Sequence, residues 1–374
     1  MNIISKKHTG WLVLMLILCA CEKPIPENTI VFDDLSNSTF VDFLLNADIQ
    51  VIPLSTEKVV TGDFQMVKYI DGEFFLFSQQ EGIVHRFSTS GDYINSVGKV
   101  GDGPEEYRSP ADFIVAEDNV IILSQTKGTS SIYMYSTSGS FKTSFEFSES
   151  TYSSFALTND GYIFSTGGNT VFENNQNLHT RDFNGNLRST FHPIKTRNIP
   201  SVAVDNFTGN GKDIYYLEPF NNTVYRIEKD SLIAKRTLDF GSYNLKNDAF
   251  EGENSLENFM KVIQNGVGLI QSYFESNEYL YFSIVLQKEP EPARNFHLIA
   301  HKKSGVSKRI ESIPETAPAF QFTASNQLLF VFQPQDLLNL ANGNPQIFEL
   351  GKEVIESIKP DDNPVILLVK PNFQ

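Results

Sequence analysis

The chain repeats a strand–turn–strand unit about every 45 residues, and this period constrains its fold more than any other feature of the sequence. The unit is clearest where a turn glycine separates two short strand-like stretches, at Gly91, Gly139, Gly185 and Gly305. The first two steps between these glycines are 48 and 46 residues. A further copy, VYRIEKDSLIAKRTL at 224–238, lies between the third and fourth.

A second, more apolar hairpin precedes each of these segments. Examples are FQMVKYIDGEFFLFS at 64–78 and DFIVAEDNVIILSQ at 112–125. Their turn pairs, Asp-Gly and Asp-Asn, suit tight hairpins. Four short strands per roughly 45 residues form one blade of a β-propeller, and blades must pack in a ring because one blade cannot bury its own faces. We therefore predict an all-β, six-bladed propeller with four-stranded blades over residues 49–374.

The sixth repeat departs from the pattern and predicts how the ring closes. It begins with AFQFTASNQLLFVFQ at 319–333 and ends in the apolar strand VILLVK at 365–370, which leaves the blade one strand short. We predict that an N-terminal strand at 49–54 supplies the missing strand, because such pairing removes an open sheet edge.

Two small inserted helices are also predicted. Residues 345–358 have helical spacing of apolar residues, although the position of Gly351, 46 residues after the preceding turn glycine, favours a hairpin instead. The second helix, at 255–264, is expected to pack on the propeller through one apolar face. That face comprises Leu256, Phe259, Met260 and Ile263.

The N-terminus has the pattern of a secretory leader. Two lysines precede an apolar run at 11–20, which is too short to span a bilayer as a helix. The run ends in Leu18-Cys19-Ala20-Cys21, which resembles a bacterial lipobox and predicts lipidation of Cys21. We therefore interpret residues 1–20 as a lipoprotein signal peptide and 21–48 as a lipid-anchored tether and lead-in. Both cysteines lie here, so the folded domain has no disulfide or cysteine metal site.

Composition excludes one class of partner. The formal net charge is −15, whereas nucleic-acid binding requires a basic surface. The 31 phenylalanines and 14 tyrosines agree with a β-rich fold.

The stretch GKVGDGPEEYRSP at 98–110 is the most site-like segment. It has neither the lysine-containing helix entry of a P-loop nor the glycine spacing of a dinucleotide fingerprint. One interpretation is a turn between blades one and two, since glycine and proline clusters mark turns. The other is a ligand-binding face at the channel mouth. Its residues would be Glu105, Glu106, Tyr107 and Arg108.

The lipobox, the blades, GDGPEEY and the ending DDNPVILLV together resemble the six-bladed β-propeller lipoproteins with NHL-like blades of Gram-negative anaerobic bacteria. The likeness covers nearly the whole mature chain, and it implies this fold and attachment to the cell envelope, at the outer membrane. It implies no reaction. The family has glycine where this chain has Glu105.

Other candidate residues follow from their positions in the blades. Histidines open the outer hairpins of three blades and are expected to be strand residues: His85, His179 and His297. Acidic residues near inner strands could ring the channel and hold a divalent metal such as calcium: Asp63, Asp112, Asp205 and Glu218. A glycan site would use exposed aromatic residues, and the candidates are Tyr107, Tyr152 and Tyr162.

Two functions remain open at this point. We expect a non-catalytic binding or scaffold module, held at the membrane by its lipid and without a cofactor, for a protein, peptide or glycan. The alternative is a propeller hydrolase or lyase with a divalent metal in the central channel. The fold alone does not decide, because propellers serve both classes.

Overall fold

A computed structural model describes residues 28–373 except 33–36, 62–63, 79, 127, 148–150, 168–174, 195–198, 201, 203 and 313–318. The predicted leader, the lipidation site Cys21 and Asp63 lie outside the described residues. No described helix has the length and apolarity needed to cross a bilayer.

The chain forms a ring of six β-sheets, as predicted. An N-terminal segment, β1 (Thr29–Val31), α1 (Phe40–Leu45) and β2 (Asp48–Pro53), precedes the blades. Blade 1 contains β3 (Phe64–Ile70), β4 (Glu73–Ser78), β5 (Ile83–Ser88) and β6 (Tyr93–Val97). Blade 2 contains β7 (Pro110–Ala116), β8 (Asn119–Thr126), β9 (Thr129–Ser136) and β10 (Phe141–Phe147). Blade 3 contains β11 (Ser154–Leu157), β12 (Gly161–Ser165), β13 (Gln176–Asp182) and β14 (Leu187–Pro193).

The later blades carry the insertions. Blade 4 contains β15 (Phe207–Asn210), β16 (Asp213–Tyr216), β17 (Thr223–Glu228) and β18 (Ser231–Asp239), and α2 (Ser255–Asn265) follows it. Blade 5 contains β19 (Val267–Glu275), β20 (Tyr279–Gln287), β21 (Arg294–His301) and β22 (Ser307–Glu311). Blade 6 contains β23 (Gln321–Phe322), β24 (Leu328–Phe332) and β25 (Val365–Lys370), with α3 (Pro334–Gly343), α4 (Pro345–Leu350) and α5 (Lys352–Ile355) between β24 and β25.

The N-terminal strand closes the last blade, as predicted. The sheet order of blade 6 is β23–β24–β25–β2, and β2 pairs antiparallel with β25 from Asp48 opposite Lys370 to Pro53 opposite Val365. The outer edge of this blade is therefore covered by the opposite end of the chain.

The N-terminal segment also reaches two further blades, which the sequence analysis did not predict. β1 pairs parallel with β18 and adds a fifth strand to blade 4. The backbone N–H of Asn37 donates to Arg309 O at 2.9 Å, on the outer strand of blade 5. Phe40 of α1 is fully buried against His297 of blade 5 and Phe330 of blade 6. Residues 28–32 and 37–53 thus form an N-terminal strap that contacts blades 4, 5 and 6.

Apolar side chains fill the spaces between neighbouring blades. One cluster joins blades 1 and 2 through Phe77 and Phe113, and a corresponding cluster joins blades 6 and 1 through Leu368 and Leu76. Similar clusters lie between the other neighbouring pairs. The hydrophobic core is therefore a ring of interfaces between blades, which leaves the axis of the ring for a channel.

The helix predictions were correct in position but incomplete. The segment 345–358 forms α4 and α5, which are separated by Gly351. The helical interpretation is therefore correct and the hairpin alternative is wrong. The helices α1 and α3 were not predicted.

The predicted packing face of α2 is right for Ile263, which is buried, and wrong for Leu256 and Met260. Leu256 is 69% exposed and Met260 is 38% exposed, whereas Asn258, Val262 and Ile263 are buried. The physical reason lies in the contacts of the buried side. The Asn258 side-chain oxygen accepts from Gly252 N–H at 2.7 Å. Val262 of the same side of the helix packs with Ala249 and Val267, so the buried face is rotated relative to the predicted one and leaves Leu256 and Met260 outside.

Candidate functional site

The site-like stretch 98–110 folds into a compact connection between β6 and β7. The N–H of Tyr107 donates to Lys99 O, and the N–H of Gly101 donates to Tyr107 O, both at 3.0 Å. Tyr107 is 1% exposed and its hydroxyl donates to Gly82 O at 2.7 Å. Gly98 has φ of +102°, and an added Cβ would lie 2.1 Å from the Tyr107 hydroxyl, so this position requires glycine.

The charged residues of this stretch form local pairs. The Glu106 carboxylate accepts from Gly103 N–H at 2.9 Å and pairs with Lys99, and these bonds hold the pKa of Glu106 below its usual range. Arg108 pairs with Asp102, and both side chains are exposed. The carbonyl oxygen of Glu105 accepts from the Tyr135 hydroxyl at 2.5 Å.

Of the four predicted site residues, two line a cavity. Glu106 and Arg108 line a cavity of about 180 Å³ together with Tyr133 and Glu146. Tyr107 is buried beneath the loop and supports it, and Glu105 is exposed. The rest of the lining is Gly101, Asp102 and Gly103 of the same stretch and residues of the second to fourth strands of blade 2, so the cavity lies between the loop and the outer part of that blade. Ligand binding by these four residues stays a prediction.

The three repeated histidines are buried and bonded to hydroxyl groups. Each places Nδ1 at 2.9 Å from a hydroxyl oxygen, which belongs to Ser96, Tyr152 and Tyr281 for His85, His179 and His297 respectively. Burial lowers the pKa of His297 to about 4. These contacts are those of core residues in a strand, in agreement with the structural interpretation.

The tyrosines considered for glycan stacking are not available to a ligand. Tyr107, Tyr152 and Tyr162 are exposed by 1%, 0% and 1%. They pack between blades 1 and 2 or between blades 2 and 3. The prediction that they form a glycan platform is therefore wrong, because rings packed between blades have no face open to solvent.

A larger cavity occupies one end of the central channel. The ring has two ends. We call one the turn end, because the first strand of each blade turns there into the second strand. We call the other the crossover end, because the chain passes there from one blade to the next. The cavity has a volume of about 660 Å³ and is lined by the last residues of the inner strands, so it lies at the turn end. The stretch 98–110, which joins two blades, lies at the crossover end. We call this larger space the channel cavity.

Aromatic side chains from three blades line the channel cavity and are only partly buried. They are Tyr69 of blade 1, Phe207 and Tyr215 of blade 4, and Phe320 and Phe322 of blade 6.

Four of these rings have a second ring behind them. The centroid distances are 4.7 Å for Tyr69–Phe74, 5.3 Å for Phe207–Tyr216, 5.3 Å for Tyr215–Tyr273 and 6.1 Å for Phe322–Tyr279. Such contacts fix the position of the exposed ring before any ligand arrives.

A carboxylate network holds one side of the channel cavity. Glu275 accepts from Lys302 Nζ at 2.6 Å and from the Tyr273 hydroxyl at 2.5 Å. Burial opposes ionisation, but the bonds from Lys302 and Tyr273 outweigh it and lower the pKa of Glu275. Burial and the nearby Glu275 charge raise the pKa of Tyr215 to about 12. The network is therefore an ionised pair, Glu275 with Lys302, beside neutral tyrosines.

Several polar groups of the channel cavity have no hydrogen-bond partner within the described part of the chain. The Thr208 hydroxyl is buried and unpaired. The side-chain amides of Asn277 and Asn326 likewise bond to no other described residue. A buried polar atom without a partner is costly, so the Thr208 hydroxyl is ready to bond to a ligand. Asn277 is exposed and Asn326 is partly exposed, so their amides are open to water or to a ligand.

Three charged residues lie deeper in the channel. Lys68 of blade 1 lines the channel cavity, with Nζ 5.4 Å from the centre of the Phe113 ring. Asp112 of blade 2 accepts from the N–H groups of Phe113 at 2.7 Å and Phe155 at 3.1 Å. Burial raises the pKa of Asp112, and Lys68 opposes that shift.

Asp205 completes this group from the other side of the ring. Burial raises its pKa to about 6, Lys68 opposes the shift and Asp112 adds to it. The Asp205 N–H donates to Gln271 O on the inner strand of blade 5 at 2.8 Å, and Asp205 is accessible to water. Two of the four proposed channel acids, Asp112 and Asp205, thus lie on or next to inner strands. Glu218 instead bonds to His192 at 2.9 Å.

The described residues contain no group of three or more His, Cys, Asp or Glu side chains placed to hold a metal ion.

Comparison with known proteins identifies the family. A family model described as a domain of unknown function, DUF4934, matches residues 33–370. The chain belongs to this family. No curated protein matches it in sequence.

Solved structures share the fold at low identity. A Bacteroides fragilis protein described as exported has a TM-score of 0.76 at 13% identity, over 92% of this chain and 100% of that one. A DUF4221 family member from Bacteroides vulgatus has a TM-score of 0.55 at 9% identity, over 87% of this chain and 97% of that one. These similarities show the fold alone, and the lipoprotein and NHL-like parts of the resemblance stay predictions.

Proposed function

We propose that this DUF4934 protein is a lipid-anchored propeller of the cell envelope, at the outer membrane, and that it binds a ligand in its channel cavity without catalysis. The leader and the lipobox at Cys21 support the location. The channel cavity supports the activity, because about 660 Å³ falls within the range of ligand sites. The observation that carries the proposal is a set of pre-positioned rings next to polar groups that lack partners.

The test is binding by the mature domain without its lipid, immobilised and exposed to defined arrays of glycans and of peptides. Phe322→Ala removes one ring of the channel cavity, and Arg108→Ala is the matched variant at the crossover end. We expect a retained ligand whose binding is weakened by Phe322→Ala alone. Loss of ligand binding with Arg108→Ala alone would place the site at residues 98–110 instead. The absence of any retained ligand on both arrays would contradict the proposal.

A hydrolase or lyase is the second candidate, and one observation favours it. Asp205 has a pKa near 6 under the influence of the Asp112 and Lys68 charges, and perturbed carboxyl groups often transfer protons. Elemental analysis of the purified domain, with melting curves with and without a chelator, tests the metal-dependent form. A stoichiometric divalent metal and a melting temperature that falls on chelation would favour the enzyme.

A further inference from the structure

We propose that the ligand of the channel cavity is a neutral oligosaccharide. This inference rests on the proposed function and adds the chemical class of the ligand. Three features of the cavity carry it: its rings, its uncharged polar groups and its balance of charge.

The rings suit the apolar faces of sugars. A pyranose presents C–H groups on its faces, and these pack against an aromatic ring, whereas its hydroxyl groups point outward around the edge. Tyr69, Tyr215 and Phe322 come from three different blades, and each is held by a ring behind it. A ligand of several sugar units could contact rings from more than one blade, since the cavity is bounded by all three.

The polar groups suit hydroxyls. A side-chain amide both donates and accepts, as does a sugar hydroxyl, so one amide can bond to two neighbouring hydroxyls. Asn277 of blade 5 and Asn326 of blade 6 provide such amides, and Thr208 of blade 4 adds an unpaired hydroxyl. Gln321 donates its amide N–H to Tyr69 O at 2.9 Å, which leaves its oxygen to accept.

The charges of the lining favour a neutral ligand. Its charged residues are Lys68, Asp213, Glu275 and Lys302, two of each sign. Glu275 and Lys302 already compensate each other at 2.6 Å. Lys68 lies in the field of two channel carboxyl groups. A charged ligand would gain little from a lining whose charges cancel, and it would lose its hydration on entry.

The absence of tryptophan from the mature sequence provides a direct assay. The single tryptophan of the chain is Trp11, which lies in the predicted leader. Phe322→Trp therefore places the only tryptophan of the mature domain at the channel cavity and keeps an aromatic ring there. Its fluorescence is titrated with chitotriose, maltotriose and cellotriose, with trigalacturonic acid as the acidic counterpart and tetraalanine as the peptide.

We expect a saturable fluorescence change with at least one neutral trisaccharide and at least tenfold weaker binding of the acidic one. In the Phe322→Trp background, Tyr215→Ala should weaken binding at least tenfold, and Asn277→Ala, an exposed turn residue that leaves the fold intact, at least threefold. Phe183→Ala is the control, because this ring is 51% exposed on the outer hairpin of blade 3. Calorimetry on the unmodified domain checks that the reporter has not created the site.

Each contrary result has a distinct meaning. Saturation by tetraalanine with no response to the three sugars would overturn the inference and leave the proposed binding function standing. Sugar binding that Tyr215→Ala and Asn277→Ala leave unchanged would show that the cavity is not the site, and it would overturn the inference. No response to any probe, with no ligand retained on the arrays, would overturn both.

Discussion

Asn363 provides the sharpest test of how the ring closes. It is fully buried just before the last strand, and its side chain makes four hydrogen bonds to the segment after β2. Its oxygen accepts from Thr61 N–H at 2.8 Å and from the Thr61 hydroxyl at 3.1 Å. Its amide donates to Ser55 O at 2.7 Å and to Val59 O at 2.8 Å. One side chain thus joins the two ends of the propeller.

The change Asn363→Ala removes all four bonds. Each is worth about 1 kcal/mol net, and a buried group left without a partner costs a further 1–3 kcal/mol, roughly. The N–H of Thr61 is such a group, because Thr61 is 8% exposed, whereas the carbonyls of Ser55 and Val59 lie in partly exposed residues that water can reach. We therefore expect the free energy of unfolding to fall by about 5–7 kcal/mol, which combines the four lost bonds with the penalty at the Thr61 N–H.

Urea unfolding of the mature domain, followed by circular dichroism, measures this loss. Asp361→Ala is the matched control, because Asp361 is exposed two residues away. Asn363→Asp keeps the acceptor for Thr61 but turns a carboxylate toward two carbonyl oxygens, so it should be destabilised at neutral pH and partly recover in acid. A loss below about 1 kcal/mol for Asn363→Ala would refute the reasoning, because it would mean that the four bonds do not hold the closure.

Three further predictions concern the strap and two titratable groups with shifted pKa values, Asp205 and His297. Phe40→Ala should cost about 3–5 kcal/mol in urea unfolding, because it leaves a cavity under the strap, whereas the exposed Val31→Ala should cost little. Asp205 has a folded-state pKa near 6 against an ordinary value of 3.8, so it removes stability as pH rises between these values; Asp205→Asn should be more stable than the parent at pH 7.5 and equal to it at pH 3.5. His297 has a folded-state pKa near 4 against 6.5, so the protein should lose up to about 3 kcal/mol as pH falls through this range, and His297→Asn should remove that loss.

The ring of blades could be predicted because its signals are local. The alternation of apolar and polar residues in strands, and turn residues such as Asp71-Gly72, lie within each hairpin's own sequence. The missing strand of blade 6 follows from counting the repeats. The strap was harder, because β1 pairs with β18, about 200 residues away, and three residues have no distinctive pattern. Its helix did carry a signal: Thr39 and Asp42 form a capping box at the start of α1.

The candidate site was less predictable than the fold. The sequence analysis chose Tyr107, Tyr152 and Tyr162 as exposed, and the structure buries all three. Whether a tyrosine in a strand faces solvent depends on the neighbouring blade, which its own segment does not specify. The rings that do line the channel cavity are brought together only by the closed ring, and Asn277 and Asn326 look in sequence like ordinary turn residues.

The strap connects ring closure to the predicted lipid attachment. Six residues separate Cys21 from Asn28, so an anchor at Cys21 would hold the edge of blade 4 within about 25 Å of the membrane even if those residues were fully extended. Any pull from that anchor would reach the propeller first through β1, which pairs with β18 of blade 4. Further along the chain, Asn37 bonds to blade 5 and β2 pairs within blade 6. The segment that would transmit a pull from the predicted anchor is therefore also the one whose last strand closes the ring.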